Sequence, residues 1–82
     1  MGTHNPIFIN DYRDGYSYAV HCERHGQGPT PWTMAVEVFR DDVLALPRRL
    51  DHGRAFATYD DARAAGVQLA TKLIDQLLES AR

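Results

Sequence analysis

The feature that most constrains this chain is a long run of apolar residues with helical spacing at its C-terminal end. From Thr58 onward, apolar side chains recur at intervals of three and four residues, as on one face of an α-helix. Thr58 is followed three residues later by Asp61, which is the spacing of a capping box at a helix start. No proline follows. The pattern therefore predicts one long helix over residues 58–80.

The apolar face of this helix is wider than one sheet needs. It covers roughly half of the circumference at ~100° per residue. The excess flank must be covered either by the chain's own N-terminal segment or by a second subunit. Its residues are therefore the candidate interface of a homodimer: Val67, Ile74 and Leu78. Small residues occupy the first two turns of the apolar face, so we expect the helix start to pack close to a sheet: Ala62, Ala65 and Gly66.

The residues before the helix alternate between apolar and polar side chains, which is typical of half-buried strands. Four segments are predicted as strands: 16–23, 32–40, 43–46 and 54–57. Pro47 should end the third of them or confine it to a sheet edge. One face of the sheet is expected to pack on the helix. The other is expected to be polar and open to water: Ser17, His21, Glu23, Thr33, Glu37 and Phe39.

The remaining segments are predicted as turns, a loop and an arm. Asp14-Gly15, Asp41-Asp42 and residues 51–53 have turn composition, and residues 24–31 form the longest loop. Ile7-Phe8-Ile9 is either an edge strand or an apolar arm over the core. We therefore predict an α+β fold: a three- to four-stranded antiparallel meander packed on one face by a single C-terminal helix. Residues 1–82 form one domain, with a partly irregular arm at 1–14, a sheet at 16–57 and a helix at 58–80.

Composition narrows the class of protein. A chain of 82 residues with 44% apolar residues has enough core for one folded domain. Its one cysteine cannot form an intramolecular disulfide, which fits a reducing cytosol. The net charge of −2 gives no bulk attraction to nucleic acids or membranes. Because neither a signal peptide nor a membrane span is recognisable, we expect a cytoplasmic protein without a membrane partner.

Two groups of residues are candidates for a binding role. The basic residues around the last predicted turn could hold phosphates: Arg48, Arg49, His52 and Arg54, with Arg40 across the sheet. The alternative is a charged sheet edge that protects an exposed strand. Trp32 borders the glycine- and proline-rich loop, with Tyr16 or Tyr18 across the strand pair. It could receive a planar ligand, or it could simply cover the core.

No catalytic or metal site is predicted. His21, Cys22 and His25 are of the ligand types that zinc prefers, but neighbours on a strand point to opposite faces, and His21 and His25 would lie ~13 Å apart along it. Only a bend at Arg24 could bring them to one ion. The chain has none of the common phosphate-loop, metalloprotease or nucleophile-elbow motifs. We therefore expect no enzyme activity and no cofactor.

Several of these features resemble known proteins. Gly15-Tyr16, Trp32 and the run from Phe56 through Thr58, Ala62, Gly66 and Ala70 to Asp75 resemble a group of small, mostly uncharacterised bacterial proteins. Strands followed by a capped helix are more distantly similar to HicB-type antitoxins, which have a double-stranded-RNA-binding-like fold. The chain lacks the DNA-binding extension of that family. The resemblance implies a fold and no activity.

The sequence leaves two hypotheses for function. The first is a small interaction module that acts through a homodimer or another protein partner. The second is a nucleic-acid-binding domain that uses the open sheet face and the hairpin from Arg48 to Arg54.

Overall fold

A computed structural model describes residues 7–50 and 54–80 of the chain. They form one antiparallel sheet and one helix, which confirms the predicted α+β class. The strands and the helix follow one another along the chain: β1 Ile7–Asp11, β2 Tyr16–Arg24, β3 Trp32–Arg40, β4 Val43–Leu50 and α1 Tyr59–Ser80.

The sheet is a meander, with its strands in chain order and each antiparallel to the next. Short turns with positive φ join β1 to β2 and β3 to β4 where the sequence predicts them, and the predicted long loop joins β2 to β3. Asp14 and Gly15 have φ of 53° and 79°, and Asp41 and Asp42 have φ of 51° and 66°. Two residues with positive φ suit the twist of a tight hairpin. A Cβ on Gly15 would lie 2.7 Å from Oδ1 of Asp41, an exposed side chain that can move aside, so the positive φ is what favours glycine here.

For three segments the structure either decides between predicted alternatives or differs from the predicted strand. The segment from Ile7 to Ile9 is part of an edge strand, since β1 pairs with β2. β4 continues through Pro47, which an edge strand tolerates. The predicted strand at 54–57 is reduced to a single bridge between Phe56 and Trp32. The chain has no length for a ladder there, because the helix begins at Tyr59. The turn predicted at 51–53 lies outside the described residues.

The core lies between the helix and the two central strands. Helix α1 packs against β2 and β3, and the alternation of the strands directs apolar side chains towards it: Tyr16, Tyr18, Val20, Cys22, Met34, Val36 and Val38. The small residues at the helix start permit the predicted close approach. A Cβ on Gly66 would lie 2.3 Å from Cγ1 of Val20, so the helix rests directly on β2 at this point.

The flank of the helix that was predicted as a dimer interface faces the chain's own N-terminal segment. Arg63, one turn before Val67, lies over the ring of Phe8, and Asp75 accepts hydrogen bonds from Tyr12 and Arg13.

The burial of Ile74 corrects the interface prediction at one of its three residues. Ile74 is 0% exposed and belongs to the core, so it offers no surface to a second subunit. Val67 and Leu78 are partly buried and pack against the same core. Within the described residues, no helix is both long enough and apolar enough to cross a membrane.

Candidate functional site

The sheet face away from the helix carries both polar and apolar side chains. The alternation of the strands places His21, Glu37 and Thr33 there, as the sequence predicts. It also places the exposed Ile7 and Ile9 of β1 there, together with apolar residues at the β3–β4 end: Phe39 and Leu44. This surface, which we call the open face, is therefore less polar than the sequence pattern indicates.

A pair of hydrogen-bonded side chains occupies the middle of the open face. Nε2 of His21 bonds Oε1 of Glu37, and the two side chains are only 19% and 22% exposed. Nδ1 of His21 lies 3.4 Å from a guanidinium nitrogen of Arg48. Because a carboxylate can only accept, Nε2 of His21 is the donor to Glu37. Both ring nitrogens of His21 therefore lie within reach of polar side chains of the chain itself.

A shallow depression of about 390 Å³ lies beside this pair. Its polar rim includes Arg48, Glu23 and Thr33, and His25 reaches Thr33 with an Nε2–Oγ1 distance of 3.0 Å. The described part of the chain contains no group of three His, Cys, Asp or Glu residues placed to hold a metal ion. His21 and Cys22 point to opposite faces of β2, since Cys22 is buried against the helix.

Cys22 is enclosed by the core. Burial raises the pKa of its thiol, and the nearby charge of Arg63 opposes this only in part. A thiol with a raised pKa has little of the thiolate form that reacts as a nucleophile. Its surroundings therefore favour a packing role.

The basic residues predicted as one cluster are divided by the sheet. Arg48 lies on the open face beside His21. Arg49 is the register partner of Val36 and so lies on the helix side. Arg54 stacks on the ring of Phe56 at 5.1 Å, and His52 lies outside the described residues.

Arg40 does not join the predicted cluster either. It is at the other end of the sheet, over the ring of Tyr16. A bulge and an edge strand decide which way neighbouring side chains of β4 point, and neither can be recognised in the sequence.

Trp32 covers one end of the core. Its ring meets the ring of Tyr59 edge to face, with 5.7 Å between centroids. Its register partner on β2 is Arg24, and Tyr16 lies at the opposite end of the strand pair. The aromatic neighbour is therefore at the helix start, and the expectation of Tyr16 or Tyr18 beside Trp32 was wrong.

The two edges of the sheet differ in how they are protected. β4 carries Pro47 and two register shifts opposite β3, next to Arg48 and Arg49. Proline, bulges and charges are the usual protection of an exposed edge. β1 has the sequence Ile-Phe-Ile-Asn-Asp, with no proline and one charged residue. Its Ile7 and Ile9 side chains are 54% and 68% exposed.

The hydrogen bonds of β1 show which of its backbone groups are unpaired in the sheet. The N–H of Tyr12 donates to the carbonyl of Tyr16 at 2.8 Å, which makes this a hydrogen-bonded pair. Such pairs alternate along an antiparallel ladder, so Asn10 and Phe8 also bond towards β2. The N–H and C=O groups of the alternate residues therefore point away from the sheet: Ile7, Ile9 and Asp11. Two of these are the exposed isoleucines.

Comparison with models of protein families, with curated proteins and with solved structures finds no match for this chain. The fold and the site define it only as a small α+β domain with a four-stranded meander, one long helix and exposed isoleucines on the edge strand β1.

Proposed function

We propose that this protein is a small interaction module that binds an extended partner strand along β1. The observation that carries the proposal is that Ile7 and Ile9 have backbone groups that point away from β2, without a partner among the described strands, and exposed apolar side chains at the same edge. In strand addition, main-chain hydrogen bonds supply affinity and alternate side chains supply specificity. Both requirements are met by the same short strand.

The chemistry of β1 specifies the kind of partner. A strand added beside β1 places every second side chain on the open face, next to Ile7 and Ile9. Such neighbours are favourable when they are apolar or β-branched. The partner is therefore an extended segment with apolar side chains at alternate positions and few charges.

The contrast with β4 supports the choice of edge. An added strand at β4 would meet Pro47, which has no N–H to donate, and a ladder interrupted twice by register shifts. The positive charges of Arg48 and Arg49 also lie there. By contrast, the described residues of β1 include one charge and neither a proline nor a register shift.

Site-specific photo-crosslinking tests this proposal. We expect p-benzoylphenylalanine in place of Ile9 to form adducts in cells that express the protein, because an added strand would lie against this side chain. The matched control is the same group in place of Val43, which is 69% exposed on β4. Mass spectrometry of the adducts identifies the partner and the crosslinked segment.

A second substitution separates strand addition from other contacts. Ile7→Pro removes an N–H that points away from β2 and leaves the β1–β2 ladder intact, so the adduct yield from position 9 should fall severalfold. Equal yields from positions 9 and 43, or no effect of Ile7→Pro, would contradict the proposal.

Nucleic-acid binding, the alternative predicted from the sequence, has less support. A phosphate backbone is held by several cations on one surface, whereas Arg48 and Arg49 lie on opposite sides of the sheet. The net charge of −2 adds no attraction. Salt-dependent binding to labelled RNA or DNA that is lost on replacing Arg48, Arg49 and Arg54 together would favour this alternative.

A further inference from the structure

We infer that the strand accepted by β1 is β1 of a second copy of this chain, so that two four-stranded sheets join edge to edge across a two-fold axis at Phe8. This inference rests on the proposed function and names the partner. A strand that pairs antiparallel with its own copy satisfies a two-fold axis without any further sequence requirement.

The arrangement of side chains in β1 selects the axis. With the axis at Phe8, Ile7 of the first copy lies opposite Ile9 of the second, and Ile9 of the first lies opposite Ile7 of the second. Both positions present outward backbone groups, so the two pairs exchange about four hydrogen bonds. The isoleucines of both copies then form one apolar cluster on the open face. Cross-strand pairs of β-branched residues are among the favourable ones.

Charge argues against registers in which the axis lies closer to Asp11. With the axis at Ile9 or Asn10, the carboxylate of Asp11 would face an isoleucine of the second copy. With the axis at Asp11, two carboxylates would face each other, which is destabilising. The axis at Phe8 leaves Asp11 outside the paired isoleucines.

The helix side of β1 also fits a second copy. Phe8 is only partly buried, although Arg63 lies over its ring. Across the proposed axis the two Phe8 residues form a pair without direct hydrogen bonds, in which side chains approach most closely. The remaining exposed part of each ring is therefore covered by the other.

The difference between the two sheet edges limits this assembly to two copies. If β1 could also pair with β4 of another copy, the chain would form open fibres. Pro47 and the two register shifts of β4 prevent that pairing. The expected product is a dimer with two β4 edges outermost.

Light scattering over a range of concentrations tests the inference. We expect the full chain to reach twice its monomer mass, and Ile9→Lys to raise the concentration of half-dimerisation at least tenfold, because a charge would enter the isoleucine cluster. Val43→Lys is the matched control, since it adds the same charge at a similarly exposed position on β4, and it should leave that concentration unchanged.

The outcomes distinguish this inference from the proposed function. A monomer mass at the highest concentration, together with an adduct from position 9 to another protein, would overturn the homodimer and leave strand addition standing. A monomer mass without any such adduct would overturn both. A dimer that is insensitive to Ile9→Lys would place its interface elsewhere and overturn the inference.

Disulfide trapping tests the register. A mixture of the Ile7→Cys and Ile9→Cys variants should form a mixed disulfide, because directly paired residues lie within the Cα separation that a disulfide spans. Either variant alone should crosslink much more slowly. Cys22 is 1% exposed and should not compete while the protein is folded. Equally fast crosslinking of Ile9→Cys alone would exclude an axis at Phe8.

Discussion

At the scale of single residues, Gly66 shows how one missing side chain sets the distance between two layers. Glycine within a helix is less favourable than alanine by about 1 kcal/mol. Here the position faces Val20, and a Cβ would lie 2.3 Å from its Cγ1 and 3.1 Å from its Cγ2. The helix therefore gives up some intrinsic stability for a closer contact with β2.

Gly66→Ala should destabilise the protein by about 1–2 kcal/mol, because the overlap with Val20 outweighs the gain in helix propensity. Urea denaturation measures the change. Gly28→Ala is the control, since no atom lies within 4 Å of its added Cβ, and it should change the free energy of unfolding by less than about 0.5 kcal/mol. In a Val20→Ala background, the cost of Gly66→Ala should shrink. An increase in stability for Gly66→Ala alone would show that the layers can separate at little cost.

At the scale of secondary-structure elements, the long helix is stabilised at its start by its own sequence. Oγ1 of Thr58 accepts a hydrogen bond from the N–H of Asp61 at 3.1 Å. This satisfies one of the donors that a helix N-terminus leaves unpaired. Asp60 and Asp61 add negative charge in the first turn, where the helix dipole favours it.

Thr58→Ala should lower the free energy of unfolding by about 1 kcal/mol, since the N–H of Asp61 loses its acceptor. Thr71→Ala is the matched control on the same helix. Its hydroxyl bonds the carbonyl of Val67, which already has a helical partner, and alanine has the higher helix propensity. Thermal or urea unfolding of both variants provides the comparison, and equal losses would refute a capping role for Thr58.

At the scale of the whole molecule, contacts of exposed side chains tie the two ends of the described chain together. The hydroxyl of Tyr12 donates to both carboxylate oxygens of Asp75 at 3.2 Å, and Arg13 reaches Oδ1 at the same distance. These contacts join the β1–β2 turn to the second half of the helix. They link the end of β1 to the helix in addition to the pairing of β1 with β2.

Asp75→Asn should loosen β1 more than it lowers global stability. Exposed ion pairs contribute about 1 kcal/mol or less, so the free energy of unfolding should change little. Hydrogen exchange of the β1 amides that bond towards β2, those of Phe8 and Asn10, should become severalfold faster through local opening. Glu79→Gln removes a similar charge from the same exposed helix end and is the control. Unchanged exchange in Asp75→Asn would mean that the sheet alone holds β1.

Periodicity predicted most of the fold but little of the candidate site. The helix bounds and the inward faces of β2 and β3 depend on local spacing, so the sequence predicts them well. The direction of Arg48 relative to Arg49 depends on bulges opposite β3, which leave no local pattern. The pairing of His21 with Glu37 also joins residues on different strands. The run Ile7-Phe8-Ile9 can be recognised in the sequence as apolar. That β1 and β4 form the two sheet edges, and that these edges differ, can be recognised only once the strand order is known.

The sequence by itself determined the helix, the two central strands and the two tight turns of this protein. Apolar spacing, a capping threonine and turns of aspartate and glycine act over a few residues, because they reflect backbone geometry and local hydrogen bonds. Only the tertiary structure decided which strands lie at the edges and which helix flank is covered. It also determined which backbone groups stay unpaired. Those outcomes depend on pairing between segments that are distant in the chain. That pairing points the backbone N–H and C=O groups of Ile7, Ile9 and Asp11 away from the sheet.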